Sequence, residues 1–267
     1  MTMIDNASAG SASIELARIA IVMPSCDRYS SLWPISLAAL ERYWPGRPRA
    51  TYLIANRLVY QHPGVTQVLV GDDVSWSDNL KRALDSVAEE YVFLALDDLV
   101  MLPGTNAPRV NELLAQAVRE GWDYLRMNPL PPPTKAGPDG LGRVLPGEAY
   151  RAGTVWSLWR KSVLQAVLLE GENPWQFEKI GSTRTDHYGE WWASAHHHVP
   201  YLNVVTSGKS EPDALAQLAA LGFDTKEIAF PVMSRKDHWV FRLRRQRSRL
   251  MKLVPTRWRR MLLQVLT

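Results

Sequence analysis

The chain has 267 residues, 46% of them hydrophobic and 22% charged, which is ordinary for a folded protein able to bury a sizeable core. Its one cysteine, Cys26, excludes an intrachain disulfide and fits a reducing compartment. No run reaches the ~18 uncharged apolar residues that a spanning helix needs, and Met1 to Ser13 lacks the basic start and apolar core of a secretion signal.

In chain order, residues 1–17 read as a flexible leader. Arg18 to Met23 (RIAIVM) is an apolar run stopped by Pro24, the pattern of a buried strand. The loop Pro24-Ser25-Cys26-Asp27-Arg28-Tyr29 follows, then helical spacing from Leu32 to Tyr43, ended by Trp44-Pro45-Gly46. Ala50–Ala55 and Val65–Val70 read as second and third strands. After the turn Gly71-Asp72-Asp73, a helix is expected from about Ser77 to Glu89, capped by Ser75 or Ser77. Tyr91 to Leu96 (YVFLAL) is the most apolar strand and runs straight into Asp97-Asp98.

Downstream, Asn111 to Gly121 reads as a helix with a glycine stop, and Trp122 to Met127 as a strand. Asn128 to Gly147, rich in Pro and Gly, reads as a long loop of the kind that is usually functional or mobile. A strand at Thr154–Leu158, a helix at Arg160–Leu169, the aromatic segment NPWQFE ending at Glu178 and a helix at 211–222 complete the body. Strands alternating with helices, each strand a continuous apolar run, predict a mostly parallel α/β sheet covered on both faces. Three regions follow: the leader at 1–17, a main domain at 18–234 (halves of about 18–127 and 128–234), and a tail at 235–267.

Ligands of such sheets sit beyond the C-terminal ends of the strands. That rule gathers Asp27, Asp72, Asp73, Asp97 and Asp98 on one rim. Carboxylates there suit a divalent cation bridging a nucleoside diphosphate, because Mg²⁺ and Mn²⁺ take hard oxygen ligands. Alone, the Asp97-Asp98 pair reads more readily as a helix N-cap with a solvated neighbour.

With these elements in place, the sequence resembles the GT-A glycosyltransferases, over about residues 18–210. IVMPSCDRY is similar to that family's opening strand and loop, WSDNLKRAL (Trp76–Leu84) to the helix before its acidic motif, and YVFLALDD to the strand bearing that motif. The departure is that DD lacks the spaced DxD form. The resemblance implies a Rossmann-like GT-A fold and a nucleotide-sugar donor. Asp27 would contact the nucleobase, Arg28 would lie near the phosphates, and Asp73, Trp76 and Asn79 would lie along the nucleoside. Asp97 and Asp98 would hold Mg²⁺ or Mn²⁺, with Asp98 the metal ligand.

Inverting transfer needs a base for the acceptor hydroxyl. The resemblance places it at Glu178, after Gly153-Thr154-Val155-Trp156 and a helix, with Glu172 the competitor. Lys209, in a loop after Tyr201–Val205, is a candidate for the leaving diphosphate. Asp186, His187 and His196–His198 match no standard zinc spacing, and adjacent histidines on a strand point to opposite faces. No P-loop, GxGxxG, HExxH, CxxC or GxSxG motif is present.

The implied activity is an inverting, metal-dependent transfer onto a glycan or lipid-linked saccharide in cell-surface polysaccharide assembly. A nucleotidyltransferase is the first alternative, although SCDRYS carries no glycine for a phosphate loop. A non-catalytic membrane-associated scaffold is the second. From Arg235 to Arg260, Arg and Lys crowd the sequence and Asp237 is the only acid. Interleaved with Trp239, Leu243, Leu250 and Leu253, they predict two short basic amphipathic helices split by Pro255. Such a tail suits an anionic membrane surface better than nucleic acid. A cytoplasmic enzyme held peripherally at the inner face of the membrane is the resulting expectation.

Overall fold

The structure, a computed structural model, describes residues 12–251, with side chains up to Leu243. The described residues form two compact units that divide between Leu202 and Asn203. The division lies inside the stretch 128–234.

The first unit is built on a nine-stranded sheet. Its strands are β1 (Ile19–Pro24), β2 (Ala50–Ala55), β3 (Thr66–Leu69), β4 (Tyr91–Leu94), β6 (Tyr124–Arg126), β7 (Lys135–Ala136), β8 (Leu141–Arg143), β9 (Ser157–Arg160) and β10 (Trp191–Ser194). A short strand β5 (Leu99–Met101) lies outside that sheet. The spatial order is β3-β2-β1-β4-β9-β6-β10-β8-β7. β1 pairs parallel with β2 and β4, as do β2 with β3 and β6 with β10. β9 and β8 run antiparallel to their neighbours. The expected mostly parallel α/β sheet is therefore present, with two reversed strands.

The helices of this unit are α1 (Trp33–Tyr43), α2 (Trp76–Leu84), α3 (Ala107–Glu120) and α4 (Lys161–Val167). β1 and β4 are buried along their whole length, as strands covered on both faces must be. β3, at one edge, carries exposed Thr66 and Leu69.

Several boundaries differ from the expected ones. α2 ends at Leu84 and not near Glu89, because Ser86 and Val87 close tight turns onto Ala83 and Leu84 and lead the chain back into β4. α3 begins at Ala107, four residues before Asn111. Pro108 sits in its first turn, where no N–H is needed, and the Asn106 side chain accepts the Arg109 N–H. Gly121 ends it at φ 72°, as the glycine stop predicted. The strand expected at 154–158 starts at Ser157. The long loop contains the small β7–β8 hairpin.

An aromatic cluster joins the sheet to the region of α2. Tyr124 stacks on Trp191 at 4.7 Å and meets Trp159 edge-on at 4.6 Å. Trp159 packs on Phe177 at 5.7 Å, and Phe177 on Trp76 at 5.5 Å. Most of the eleven tryptophans are thus core residues.

The second unit contains the hairpin β11 (Val205–Thr206) and β12 (Lys209–Ser210), helix α5 (Pro212–Ala220) and helix α6 (Arg235–Met251). Glu211 caps α5 by accepting the N–H groups of Asp213 and Ala214. α6 agrees with the first of the two helices expected in the tail. The second, beyond Pro255, lies outside the described residues, as does most of the 1–17 leader.

Candidate active site

The C-terminal ends of β1 and β4 open onto a cavity of about 420 Å³. Five of the residues singled out from sequence line it: Asp73, Trp76, Asn79, Asp97 and Asp98. Ser25 and Cys26 contribute from the loop after β1, and Asn173, Pro174 and Trp175 from a late helical turn.

Asp97 and Asp98 occupy the centre of a reverse turn closed by the Leu99 N–H onto the Leu96 carbonyl at 3.2 Å. This turn, leading directly into β5, replaces the helix N-cap that the pair alone also allowed. Asp97 is 5% exposed, and its carboxylate accepts a hydrogen bond from the Ser25 hydroxyl. Ser25 is itself fixed by the Trp33 indole N–H at 2.7 Å, and the Ser36 hydroxyl holds the Asp97 carbonyl at 2.5 Å. Burial, followed by the charge of Asp98, pushes the Asp97 carboxyl well above its ordinary range. Burial lifts Asp98 from 3.8 to about 6. Two adjacent carboxylates short of water are costly as free anions, and a bound cation relieves that cost. The donor set therefore fits a hard divalent ion. Asp98 is the less constrained of the two, and Asp97 is committed to Ser25.

The opposite arrangement holds at Asp27. Its carboxylate accepts the backbone N–H groups of Asn56, Arg57 and Leu58 at 2.9–3.2 Å, and its own N–H donates to the Asn56 side chain at 3.1 Å. It clasps the chain as it leaves β2 and is not among the residues lining the cavity. Arg28 is exposed beside it and is likewise absent from that lining.

On α2, the Asn79 amide donates to Asp73 at 2.6 Å. The other end of that amide, Oδ1, is buried without a hydrogen-bond partner, and so is the indole N–H of Trp76. An orphaned buried acceptor and donor on the wall of a cavity call for a ligand or water.

Glu178 lies in a π-helical turn, Phe177–Gly181, a geometry frequent at functional sites. One carboxylate oxygen accepts both the N–H and the hydroxyl of Thr154, each at 2.7 Å. Burial raises its pKa, opposed by the Thr154 hydrogen bonds and the Arg126 charge. Thr154 belongs to the loop entering β9, where Trp156 is held at φ 48°, a strained conformation for a bulky side chain, by packing on Phe93 and by the Met127 N–H. Glu172 is engaged differently. Both its oxygens bind Arg184, at 3.0 and 2.6 Å, in a half-buried bidentate pair. The two candidate bases are thus held differently, and neither is among the residues lining the cavity.

Lys209 belongs to the second unit, where its ammonium binds Asp237 at 2.7 Å. His196–His198 lie in a turn after β10 and not on a strand. His198 bonds Ser194 at 2.9 Å, and burial and Arg109 lower its pKa. Among the described residues, one group of three possible ligands closes to within 4.8 Å: Glu211, Asp213 and His238, all in the second unit. Its members are 27 residues apart in sequence, with no motif to flag them, and Glu211 already caps α5.

No protein-family model matches the chain, and no curated protein matches it either. Among solved structures it is similar to S. aureus TarS 1-349, at 12% identity and a TM-score of 0.43, over 78% of this chain and 67% of that one. The same TarS segment in complex with UDP-GlcNAc matches at 12% identity with a TM-score of 0.39, over 78% of this chain and 68% of that one. CMP:2-keto-3-deoxy-manno-octonic acid synthetase complexed with CTP matches at 13% identity and 0.44, over 76% of this chain and 98% of that one. Against a longer TarS structure the chain spans 40% of that protein's length. These likenesses are distant, and the assignment of chemistry rests on the site's own residues.

Proposed function

We propose that this chain is a GT-A-like glycosyltransferase that takes a nucleotide-sugar donor. The observation that carries the reading is the placement of Asp97-Asp98, at the end of a fully buried strand, in one cavity with Asp73, Trp76 and Asn79. Asp98, steadied by Asp97, would hold Mg²⁺ or Mn²⁺. The ion supplies positive charge to the leaving diphosphate. Trp76 and Asn79, on the wall of the cavity, would lie along the nucleoside. Asp27 would act by fixing the loop after β2, its carboxylate being committed to backbone amides, with Arg28 beside it. Glu178, raised by burial and oriented by Thr154, is the proposed base of an inverting transfer. The loop after β1 is a short 3₁₀ turn, Asp27–Leu32, without glycine, which favours this reading over nucleotidyl transfer.

Thermal unfolding in the presence of a panel of nucleoside diphosphates and nucleotide sugars tests the reading. One member at 100 times its Kd should stabilise the protein by about 2.7 kcal/mol, and only with Mg²⁺ or Mn²⁺ present. No stabilisation by any member would overturn it.

The acceptor in this reading is a glycan or lipid-linked saccharide in polysaccharide assembly, met at a membrane surface. No helix among the described residues is long and apolar enough to cross a membrane. On α6, Trp239 and Leu243, one turn apart, are both exposed. Residues 244–267 add eight Arg and Lys and no acid. Each basic residue near an anionic leaflet contributes roughly 1 kcal/mol. Removing residues 244–267 should therefore abolish co-sedimentation with anionic vesicles and leave nucleotide binding intact. Equal pelleting of both forms would rule the tail out as an anchor.

A further inference from the structure

Among the described residues six tryptophans are fully buried, and their role is packing. Trp175 is the reverse. At 76% exposed, it is the most exposed large hydrophobic side chain among the described residues. It nevertheless lines the same cavity as Asp73, Asp97 and Asp98.

The backbone beneath it is fixed from both sides. Asn173 and Gln176 form a reciprocal capping box, with both bonds at 2.9 Å. Just before them, the Gly171 N–H donates to Asp78 at 2.8 Å. The Glu172 N–H donates to the Ser77 hydroxyl at 3.0 Å, and the Glu172 carbonyl accepts the Ser77 N–H at 3.1 Å. The Glu172–Arg184 pair locks the same segment to the end of the turn. An indole on a mobile loop pays ordering entropy when it binds, whereas one on a fixed turn has little left to lose. Nothing in the packing of the fold requires this ring to face water. A ligand stacked on it would cover that exposed face.

The chemistry of the wall selects that ligand. A pyranose ring has a face of C–H groups that stacks on an aromatic plane, and a rim of hydroxyls that needs polar neighbours. An acyl chain needs a continuous apolar surface, and here the indole is flanked by Asn173 and shares the cavity with three aspartates. Trp175 also lies three residues from Glu178, within one stretch of helical turns. We propose that Trp175 is the platform on which the acceptor's sugar ring stacks, so that the acceptor hydroxyl belongs to a saccharide. This inference rests on the glycosyltransferase reading and deepens it.

Saturation-transfer NMR on the full chain tests it, using methyl glycosides of common hexoses and N-acetylhexosamines. A nucleoside diphosphate and Mg²⁺ are held saturating throughout. At least one glycoside should receive saturation on the C–H groups of a single ring face. The signal should persist in Trp175→Phe and fall about tenfold or more in Trp175→Ala and Trp175→Leu, with all three variants melting like the parent. Nucleotide affinity should be the same in all four proteins. A loss of nucleotide affinity in Trp175→Ala and Trp175→Leu would assign the ring to the donor base and overturn the proposal. So would glycoside signals that survive in both, or the absence of any glycoside signal from a nucleotide-bound parent. A parent that binds no nucleotide at all would instead sink the donor reading, so the two failures are distinguishable.

Discussion

Glu178→Gln is expected to leave nucleotide affinity unchanged and to slow glycosyl transfer by about 10²–10⁴-fold, the usual consequence of losing a general base. The amide keeps the shape of the side chain and still accepts the two Thr154 hydrogen bonds, so the π turn should persist. The pH profile adds a second check. Burial raises Glu178 above its ordinary 4.5, and the base works only when ionised. The parent's rate should therefore rise with pH through a limb centred above 4.5, and that limb should vanish from the residual activity of the variant. Glu172→Gln should behave differently. It breaks the bidentate contact with Arg184 and should lower stability, with kcat per folded molecule largely kept. Near-normal turnover in Glu178→Gln, with Glu172→Gln inactive, would transfer the role.

Asp98→Asn is expected to separate stability from binding. In metal-free protein the folded pKa of Asp98 is about 6, above the ordinary 3.8. Between those values the folded state holds more protons than the unfolded state, so stability falls as pH rises through that window and stays lower above it. Two units correspond to roughly 3 kcal/mol as an upper figure, and partial access to water reduces this to about 1–3 kcal/mol. Asp98→Asn should recover that amount at pH 7 and reduce the dependence between pH 4 and 6, the part that remains belonging to the buried Asp97. The same variant should lose metal-dependent nucleotide binding by 100-fold or more, because the amide brings no charge to the ion. Calorimetric titration with Mn²⁺ and the preferred nucleotide reads the second effect, and melting curves in chelator read the first. A variant less stable than the parent at pH 7, or one that binds nucleotide with metal as tightly, would contradict the assignment.

Much of the cavity wall was legible from sequence because its signals are local. RIAIVM, ATYLIA and YVFLAL are uninterrupted apolar runs, and the rule that ligands gather at strand ends placed Asp73, Asp97 and Asp98 on one rim without any knowledge of pairing. The failures were of a different kind. Asp27 lies on the same rim by that rule, yet its carboxylate faces backbone amides 29–31 residues away, a contact no local pattern encodes. β10 (Trp191–Ser194) went unread because its two tryptophans and small residues carry no period-two alternation. The bidentate Glu172–Arg184 pair, which distinguishes the two candidate bases, spans twelve residues across a turn whose winding is partly π. The order of motifs favoured Glu178 and left Glu172 as the competitor. The contacts show how differently the two are held.

The reversed strand β9 has a consequence for how the chain can be divided. β9 pairs with β4 on one side and β6 on the other, Leu94 lying opposite Ser157. Among the described residues it is the one strand that joins the parallel block β3-β2-β1-β4 to the rest of the sheet. A fragment ending at about residue 127 would contain every candidate donor carboxylate and still lack the neighbour of β4. Tyr91 to Leu94, the most apolar strand, would then be an unprotected edge with a free ladder of backbone donors and acceptors, the surface on which strands of other chains assemble. The two halves suggested by the order of motifs are thus not modules that could be exchanged between proteins at that point. The strand that completes the first half is encoded about 60 residues later in the second.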